Sequence, residues 1–171
     1  MIEGFSLNAD TENDEARALT NDTERRASEL SGLQKLADEV PRLRELADTD
    51  GLTGLLNRRA FDDSMKAAVE TDAGQPISVV AMDIDHFKQL NDHYGHAAGD
   101  TVLRDFARIM RSKIRPGIDY AGRTGGEEFA LGLVGLNADA AQEIAETVRK
   151  EVEQNQMFSE EQSIRITVSC G

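Results

Sequence analysis

The sequence predicts an α+β fold in which an antiparallel sheet carries helices. A short apolar run at residues 77–82 has the length of a buried strand. Two apolar segments flank Gly125 and Gly126, as in a hairpin, and residues 164–168 alternate in the manner of a half-buried strand. Amphipathic helices separate these strands. The resulting order is βαββαβ, which is typical of ferredoxin-like sheets.

Residues 1–47 precede this fold and are predicted to form a charged helical stalk. Four residues recur at seven-residue intervals on one side of a helix over about residues 14–40, namely Leu19, Arg26, Leu33 and Val40. This spacing indicates a weak coiled coil, although a marginal charged helix explains it equally well. Pro41 is expected to end or kink the helix. The globular domain is predicted to occupy residues 48–171.

Composition narrows the classes of function. A net charge of −13 over 171 residues argues against broad binding to nucleic acid or to an anionic membrane. The sequence contains no apolar run of membrane-spanning length, its first residues do not form a secretory signal, and its single cysteine, Cys170, fits a reducing compartment. A cytoplasmic location is therefore predicted. The spacing of the three histidines is not that of a zinc site.

The elements before the hairpin follow from their patterns. Residues 50–57 are predicted to form a loop, and a helix over about residues 58–69 to precede the strand at 77–82. Asp85 is expected to be a helix N-cap, which leaves the next amides free for an anion. Asp100 is expected to cap a longer helix, which ends at Pro116.

The hairpin is predicted from strands at residues 118–123 and 127–134, joined by a turn in which Gly125 and Gly126 supply positive φ angles. Asn137 is expected to cap the last helix. In a βαββαβ sheet the first strand and the strand after the hairpin are neighbours, which brings Asp83 to the same sheet edge as Glu127 and Glu128.

Carboxylates that converge on one edge fit a hard divalent cation such as Mg²⁺. Because successive strand residues point to opposite faces, one of Glu127 and Glu128 is expected to meet Asp83 directly. Free amides after Asp85 would place phosphates beside the metal, as phosphoryl chemistry requires. A solvated hairpin tip, with Asp83 as a strand-end acid, is the structural alternative. No P-loop motif is present in the sequence.

Five motifs, in order, resemble the GGDEF family of diguanylate cyclases over about residues 48–171. The signature is Gly125-Gly126-Glu127-Glu128-Phe129, a GGEEF variant, and the other four lie at residues 50–55, 57–59, 83–88 with 91–92, and 94–100. The resemblance implies condensation of two GTP molecules into cyclic di-GMP with release of pyrophosphate. It also implies a homodimer, since one domain holds one GTP; a two-stranded stalk would favour that pairing. A catalytically weak or inactive GTP-binding module is the alternative.

The resemblance also implies roles for individual residues. Mg²⁺, or Mn²⁺, would be bound by Asp83, the Ile84 carbonyl and Glu127. Glu127 would also help to activate the ribose hydroxyl, with Glu128 in a supporting catalytic role. The substrate-binding positions would be the guanine readers Asn91 and Asp100, the backbone amides of Phe87 and Lys88 at the terminal phosphates, and the glycines Gly125 and Gly126, which allow close backbone approach.

The sequence departs from the family pattern in two places. The inhibitory product site of many members is Arg-x-x-Asp, and here Asp119 is in place while Pro116 occupies the arginine position. Arg115 lies one residue away. Weak product inhibition is therefore expected. Members also continue for about a helix and a strand beyond the segment that ends at Gly171, so the C-terminal part of the domain, with its phosphate-binding lysine and arginine, is expected to be missing.

Overall fold

The computed structural model describes residues 7–71, 74–155, 157–159 and 162–171. Their helices are α1 (Leu7–Asp48), α2 (Arg58–Thr71), α3 (Phe87–Tyr94), α4 (His96–Lys113) and α5 (Ala138–Gln154). Their strands are β1 (Leu56–Asn57), β2 (Ile77–Ile84), β3 (Tyr120–Arg123), β4 (Glu128–Val134), β5 (Met157–Ser159), β6 (Gln162–Ile164) and β7 (Val168–Cys170). The chain divides into two units, Met1–Glu45 and Leu46–Gly171.

Five strands form the main sheet, in the order β1-β3-β4-β2-β7. Strand β2 is antiparallel to both β4 and β7, and β3 is antiparallel to β4. The predicted α+β fold is confirmed, and the strands β3, β4, β2 and β7 lie in the ferredoxin-like order. The fifth strand, β1, pairs in parallel with β3 and lies where a loop was predicted. A strand of this length is too short to show a period in the sequence.

The core lies between the inner face of this sheet and the helices α3, α4 and α5. Val80, Met82 and Ile84 alternate inward along β2 because successive strand residues point to opposite faces. On the helix side, Phe106 of α4 meets Phe129 of β4 edge to face, with ring centroids 4.7 Å apart. This packing fixes the ends of β2 and β4 relative to α3 and α4, which supply the site residues.

The outer face of the sheet is covered by α2 over β3 and β4. Two glycines allow this close approach, since an added Cβ would lie 2.8 Å from Phe61 at Gly122 and 2.2 Å from the Met65 sulfur at Gly132. On β2, by contrast, Ala81 and Asp83 are exposed on the outer face. The carboxylate of Asp83 is therefore accessible.

Pro41 was predicted to end or kink the helix, and the first alternative is wrong, because α1 continues through Pro41 to Asp48. The kink stays a prediction. Proline removes one helical hydrogen bond, to the Ala37 carbonyl, and in an exposed helix water can satisfy that group. Four apolar side chains lie on one seven-residue stripe of α1 and are 44–63% exposed, namely Leu33, Leu36, Val40 and Leu43. We call these four the stalk stripe. At the earlier positions of the predicted stripe, Arg26 is exposed, and the side chain of Leu19 lies outside the described residues.

Two local predictions have different outcomes. Asn137 caps α5 as predicted, because its side chain accepts a hydrogen bond from the Ala140 amide at 3.0 Å. The strand predicted at residues 164–168 is wrong in extent, since β6 ends at Ile164 and β7 begins only at Val168. Strand β6 instead pairs with β5 in a separate hairpin. The alternation that predicted one strand comes from Ile164, Ile166 and Val168, which are all buried.

Candidate active site

The end of β2 and the start of β4 meet at one edge of the sheet. Backbone pairing places Asp83 opposite Glu128, and the Ile84 amide donates to the Glu127 carbonyl at 3.3 Å. Directly opposed residues of an antiparallel pair share a face, so Asp83 and Glu128 adjoin each other. The prediction that Asp83 lies beside the hairpin is confirmed. The acid that shares its face is Glu128.

These two acids lie in an outer cleft of about 530 Å³. Partial burial raises the pKa of Asp83 above its ordinary value, and the negative charges of Glu128 and Asp85 raise it further. Arg58 and Thr124 also line this cleft, and the Arg58 guanidinium donates to the Thr124 carbonyl at 3.5 Å. A pair of mutually repelling carboxylates is stabilised by a bound cation.

A second cavity, of about 480 Å³, lies on the other side of the same edge. Six residues that the sequence singled out line it together: Phe87, Lys88, Asn91, Asp100, Gly126 and Glu127. We call it the base cavity. It joins an amide and a carboxylate, which complement the polar edge of a purine, to a glutamate at the hairpin. The predicted residues are thus divided, with Asp83 and Glu128 in the outer cleft.

The hairpin loop differs from the tight turn that was predicted. Strand β3 ends at Arg123 and β4 begins at Glu128, so Gly125 and Gly126 lie in a longer loop, and neither has a left-handed φ. Gly125 instead provides space, because a Cβ there would lie 2.2 Å from a Glu128 carboxylate oxygen. Among the described residues nothing lies within 4 Å of a Cβ at Gly126, so a ligand can approach the Cα of that residue.

The start of α3 carries no side-chain cap, contrary to the prediction for Asp85. The helix begins at Phe87, and His86 before it has the left-handed φ of 57°. Asp85 lies outside the helix and accepts hydrogen bonds from the Thr167 and Ser169 hydroxyls, both at 2.6 Å. These hydrogen bonds lower the pKa of Asp85, and the bond from Ser169 has the larger effect. The first amides of α3 thus remain available to an anion.

Asp100 does not cap α4, because the helix begins earlier, at His96. The carboxylate of Asp100 is half exposed and lies 3.9 Å from the Arg104 guanidinium, which is a weak surface ion pair. It is therefore free to face the base cavity. Asn91, one helix away, has a buried Oδ1 without a hydrogen-bond partner among the described residues. Asn91 itself lines the base cavity.

Arg123 and Asp50 form a clamp that sequence reasoning missed. The Arg123 guanidinium donates to the Gly126 carbonyl at 2.6 Å and lies 3.2 Å from both Asp50 oxygens. Asp50 also accepts from the backbone and the hydroxyl of Thr53. The clamp fixes the hairpin loop to the segment that follows α1. The available signal in the sequence was an arginine directly before the glycine loop.

Asp119, the remnant of the product-site motif, is bound inside the protein. Among the described residues, Asp119 is the charged residue that is buried, with 6% of its surface exposed. Its carboxylate accepts two bonds from the Arg115 guanidinium, at 2.7 and 2.8 Å, and one each from the amides of Arg115 and Val134. Burial alone would raise the pKa of Asp119, but these bonds and the Arg115 charge hold it below its ordinary value. Asp119 therefore anchors β3 to β4.

We expect Asp119→Ala to lower the free energy of unfolding by about 2 kcal/mol at neutral pH, because it removes a buried carboxylate that binds the half-exposed Arg115 and leaves two amides unpaired. Since the folded pKa is lowered, this contribution is full above the pKa of the unfolded carboxyl and is lost as pH falls through the folded pKa. Urea unfolding at pH 7 and at acidic pH measures both effects. Asp105→Ala removes an exposed ion pair with Arg108 and should have a much smaller effect; equal losses would contradict the anchoring role.

The oxygen donors at the sheet edge fit a cation whose other coordination positions are filled by phosphate and water. Among the described residues no group of three or more His, Cys, Asp or Glu side chains is arranged around one metal position. The sheet edge offers the carboxylates of Asp83, Glu127 and Glu128 together with backbone carbonyls. Mg²⁺ is commonly held by one or two carboxylates, with phosphates and water in its other positions. These oxygen donors suit such an ion.

A comparison with family models places residues 47–171 in one family, described as diguanylate cyclase, GGDEF domain. Among curated proteins, diguanylate cyclase VdcA of Vibrio cholerae is 42% identical over 121 residues, which are 71% of this chain and 35% of that protein. Diguanylate cyclase A of Treponema denticola is 36% identical over 147 residues, 83% of this chain and 39% of that protein. The chain thus spans little more than a third of these relatives.

Among solved structures, the chain resembles the coiled coil and GGDEF domain of DgcB from Caulobacter crescentus, crystallised in complex with c-di-GMP. The TM-score is 0.78 at 34% sequence identity. The match covers 87% of this chain and 80% of the other. The similarity therefore extends well beyond the signature motif.

Proposed function

Because the chain belongs to the GGDEF family of diguanylate cyclases, we propose that it condenses two GTP molecules into cyclic di-GMP and releases two pyrophosphates. The observation that carries this proposal is the base cavity, where Asn91 and Asp100 lie beside Glu127 and the uncapped start of α3. One cavity thus offers partners both for guanine and for phosphate. In the reaction each ribose 3′-oxygen bonds to the α-phosphorus of the other nucleotide and loses its proton.

The residues of the base cavity divide this work. The Asp100 carboxylate accepts hydrogen bonds from the N1–H and the amino group of guanine, and Asn91 pairs with a neighbouring atom of the base. The amides of Phe87 and Lys88 bind terminal phosphate oxygens at the positive end of α3. Glu127 accepts the proton of the attacking hydroxyl. Glu128, on the opposite face of the strand, has a supporting catalytic role. Gly126 allows the close approach of the nucleotide to the loop.

Diguanylate cyclases use a divalent metal, and we propose Mg²⁺, with Mn²⁺ as a substitute, bound by Asp83, the Ile84 carbonyl and Glu127. The hydrogen bond between the Ile84 amide and the Glu127 carbonyl keeps these two backbones adjacent. The raised pKa of Asp83 is consistent with a carboxylate crowded by other acids. When bound, the ion supplies positive charge that stabilises the phosphate undergoing attack.

The proposed active species is a dimer, since each domain offers one base cavity and the product joins two nucleotides. The stalk stripe supports this, because Leu33, Leu36, Val40 and Leu43 alternate at three- and four-residue steps on α1. That spacing is the seam of a two-stranded coiled coil. Linking two domains through such a seam raises the effective concentration of each half-site.

Incubation of the chain with GTP and Mg²⁺, followed by chromatographic detection of cyclic di-GMP, tests the proposal. We expect product from GTP and none when EDTA replaces the metal. GTP that binds without forming product at high protein concentration would instead indicate a nucleotide-binding module. Because the Asp119 carboxylate is already bound by Arg115 of the same chain, we expect added cyclic di-GMP to inhibit product formation only weakly. Strong inhibition that depends on Asp119 would contradict that expectation.

A further inference from the structure

Gly99 lies inside α4, directly beneath the side chain of Asn91. A Cβ built on Gly99 would lie 2.0 Å from Asn91 Oδ1, 3.0 Å from its Cγ and 3.2 Å from Phe87 Cζ. Contacts below 3 Å are not tolerated between heavy atoms of this kind, so Asn91 occupies the volume of a missing side chain. Gly99 is itself buried. An alanine there would require Asn91 to move.

The backbone conformation does not explain this glycine. Gly99 is helical and does not have a left-handed φ, so alanine would be favoured there by helix propensity alone. Glycine in a helix interior is destabilising relative to alanine. Its presence therefore has a cost to α4, and the close approach of Asn91 is the contact in the structure that accounts for it.

Packing, rather than hydrogen bonding, orients the Asn91 amide. Its Oδ1 is buried against Gly99 and has no hydrogen-bond partner in the described part of the chain. Because Oδ1 is packed against Gly99, Nδ2 is the polar atom of the amide that remains for the base cavity that Asn91 lines. A donor beside the Asp100 carboxylate matches guanine, which presents an acceptor oxygen next to its N–H donors. Adenine offers the reverse pattern.

We propose that Gly99 is a positioning residue that sets the selectivity for guanine by holding the Asn91 amide in this orientation. The inference rests on the proposed use of GTP. Gly99 itself does not contact the base; it acts through the space it leaves for Asn91. Displacing the amide removes or misdirects one hydrogen bond to the base while the phosphate contacts of α3 remain.

The test measures binding of 3′-deoxy-GTP and 3′-deoxy-ATP with Mg²⁺ by calorimetry, since nucleotides without the 3′-hydroxyl cannot react. For Gly99→Ala we expect about tenfold weaker binding of the guanine nucleotide, with little change for the adenine nucleotide, because one hydrogen bond is lost. The ratio of the two affinities thus falls by the same factor. The melting temperature should be unchanged or higher.

Two controls separate positioning from structural damage. In an Asn91→Ala background, Gly99→Ala should cause no further loss, because the side chain that it displaces is absent. Gly32→Ala makes the same change in helix α1, where no described residue lies within 4 Å of the new Cβ, and should leave both affinities unchanged.

The inference is overturned if Gly99→Ala keeps the wild-type selectivity, or if it weakens guanine-nucleotide binding equally in the Asn91→Ala background. Neither result would count against the proposed function. If the wild-type chain does not prefer the guanine nucleotide, the proposed function fails with it.

Discussion

Glu127→Gln is expected to lower the rate of cyclic di-GMP formation by roughly a hundredfold or more. The substitution preserves the size of the side chain and removes its negative charge. It thereby weakens both the proposed metal ligand and the group that accepts the proton of the 3′-hydroxyl. Steady-state product formation from GTP, with the variant at the same concentration as the wild type, measures the loss.

Glu128→Gln is the matched control for this assignment, because it makes the same change in the next residue. The two side chains line different cavities, Glu127 with Asn91 and Glu128 with Asp83. We expect the smaller loss of activity at Glu128, and titration with Mg²⁺ should show the larger shift for Glu127→Gln. If Glu127→Gln is active, or if only Glu128→Gln has a metal defect, the proposed assignment is wrong and the metal site must be assigned to the outer cleft.

Leu36→Lys is expected to reduce activity by about a hundredfold at low protein concentration and much less at high concentration. Leu36 lies in the stalk stripe, and a lysine in each of two facing seams places like charges together. The linked half-sites would then have to meet by diffusion, without the effective concentration that the stalk provides. Activity measured over a series of dilutions, with sedimentation of the same samples, tests this.

Gln34→Lys provides the control for charge and helix content. It adds the same side chain to α1 two residues away, outside the stalk stripe. Its activity should stay proportional to protein concentration and its sedimentation should match the wild type. A Leu36→Lys variant that remains dimeric and fully active at every dilution would show that α1 does not pair the domains.

Pairing of the central strands could be predicted from the sequence. The apolar run of β2 and the two arms of the hairpin are long enough to show a pattern, and the neighbour rule for βαββαβ sheets then places Asp83 beside the hairpin. The register that joins Asp83 to Glu128 is a pairing between strands distant in sequence, β2 and β4, which the sequence did not reveal. Two adjacent glycines indicated a tight turn, whereas Gly125 accommodates a side chain.

Features that depend on tertiary contacts could not be predicted. Asp85 has the residue type of an N-cap, but hydroxyls from Thr167 and Ser169, more than 80 residues away, compete for its carboxylate. Arg115 binds the Asp119 carboxylate because Asp119 is buried beside it, and a single sequence does not show that burial. Strand β1 exists because β3 offers it a partner edge, not because of its own propensity.

The segment that enters the globular unit is itself a structural part of it. Leu55 is 3% exposed, β1 completes the sheet edge, and Asp50 holds Arg123. A chimaera must therefore keep the chain from Leu46 onward and exchange only what lies upstream. Since α1 runs unbroken to Asp48, an exchange made within it must keep the helical period of 3.6 residues per turn, so that the stalk stripe stays on one face.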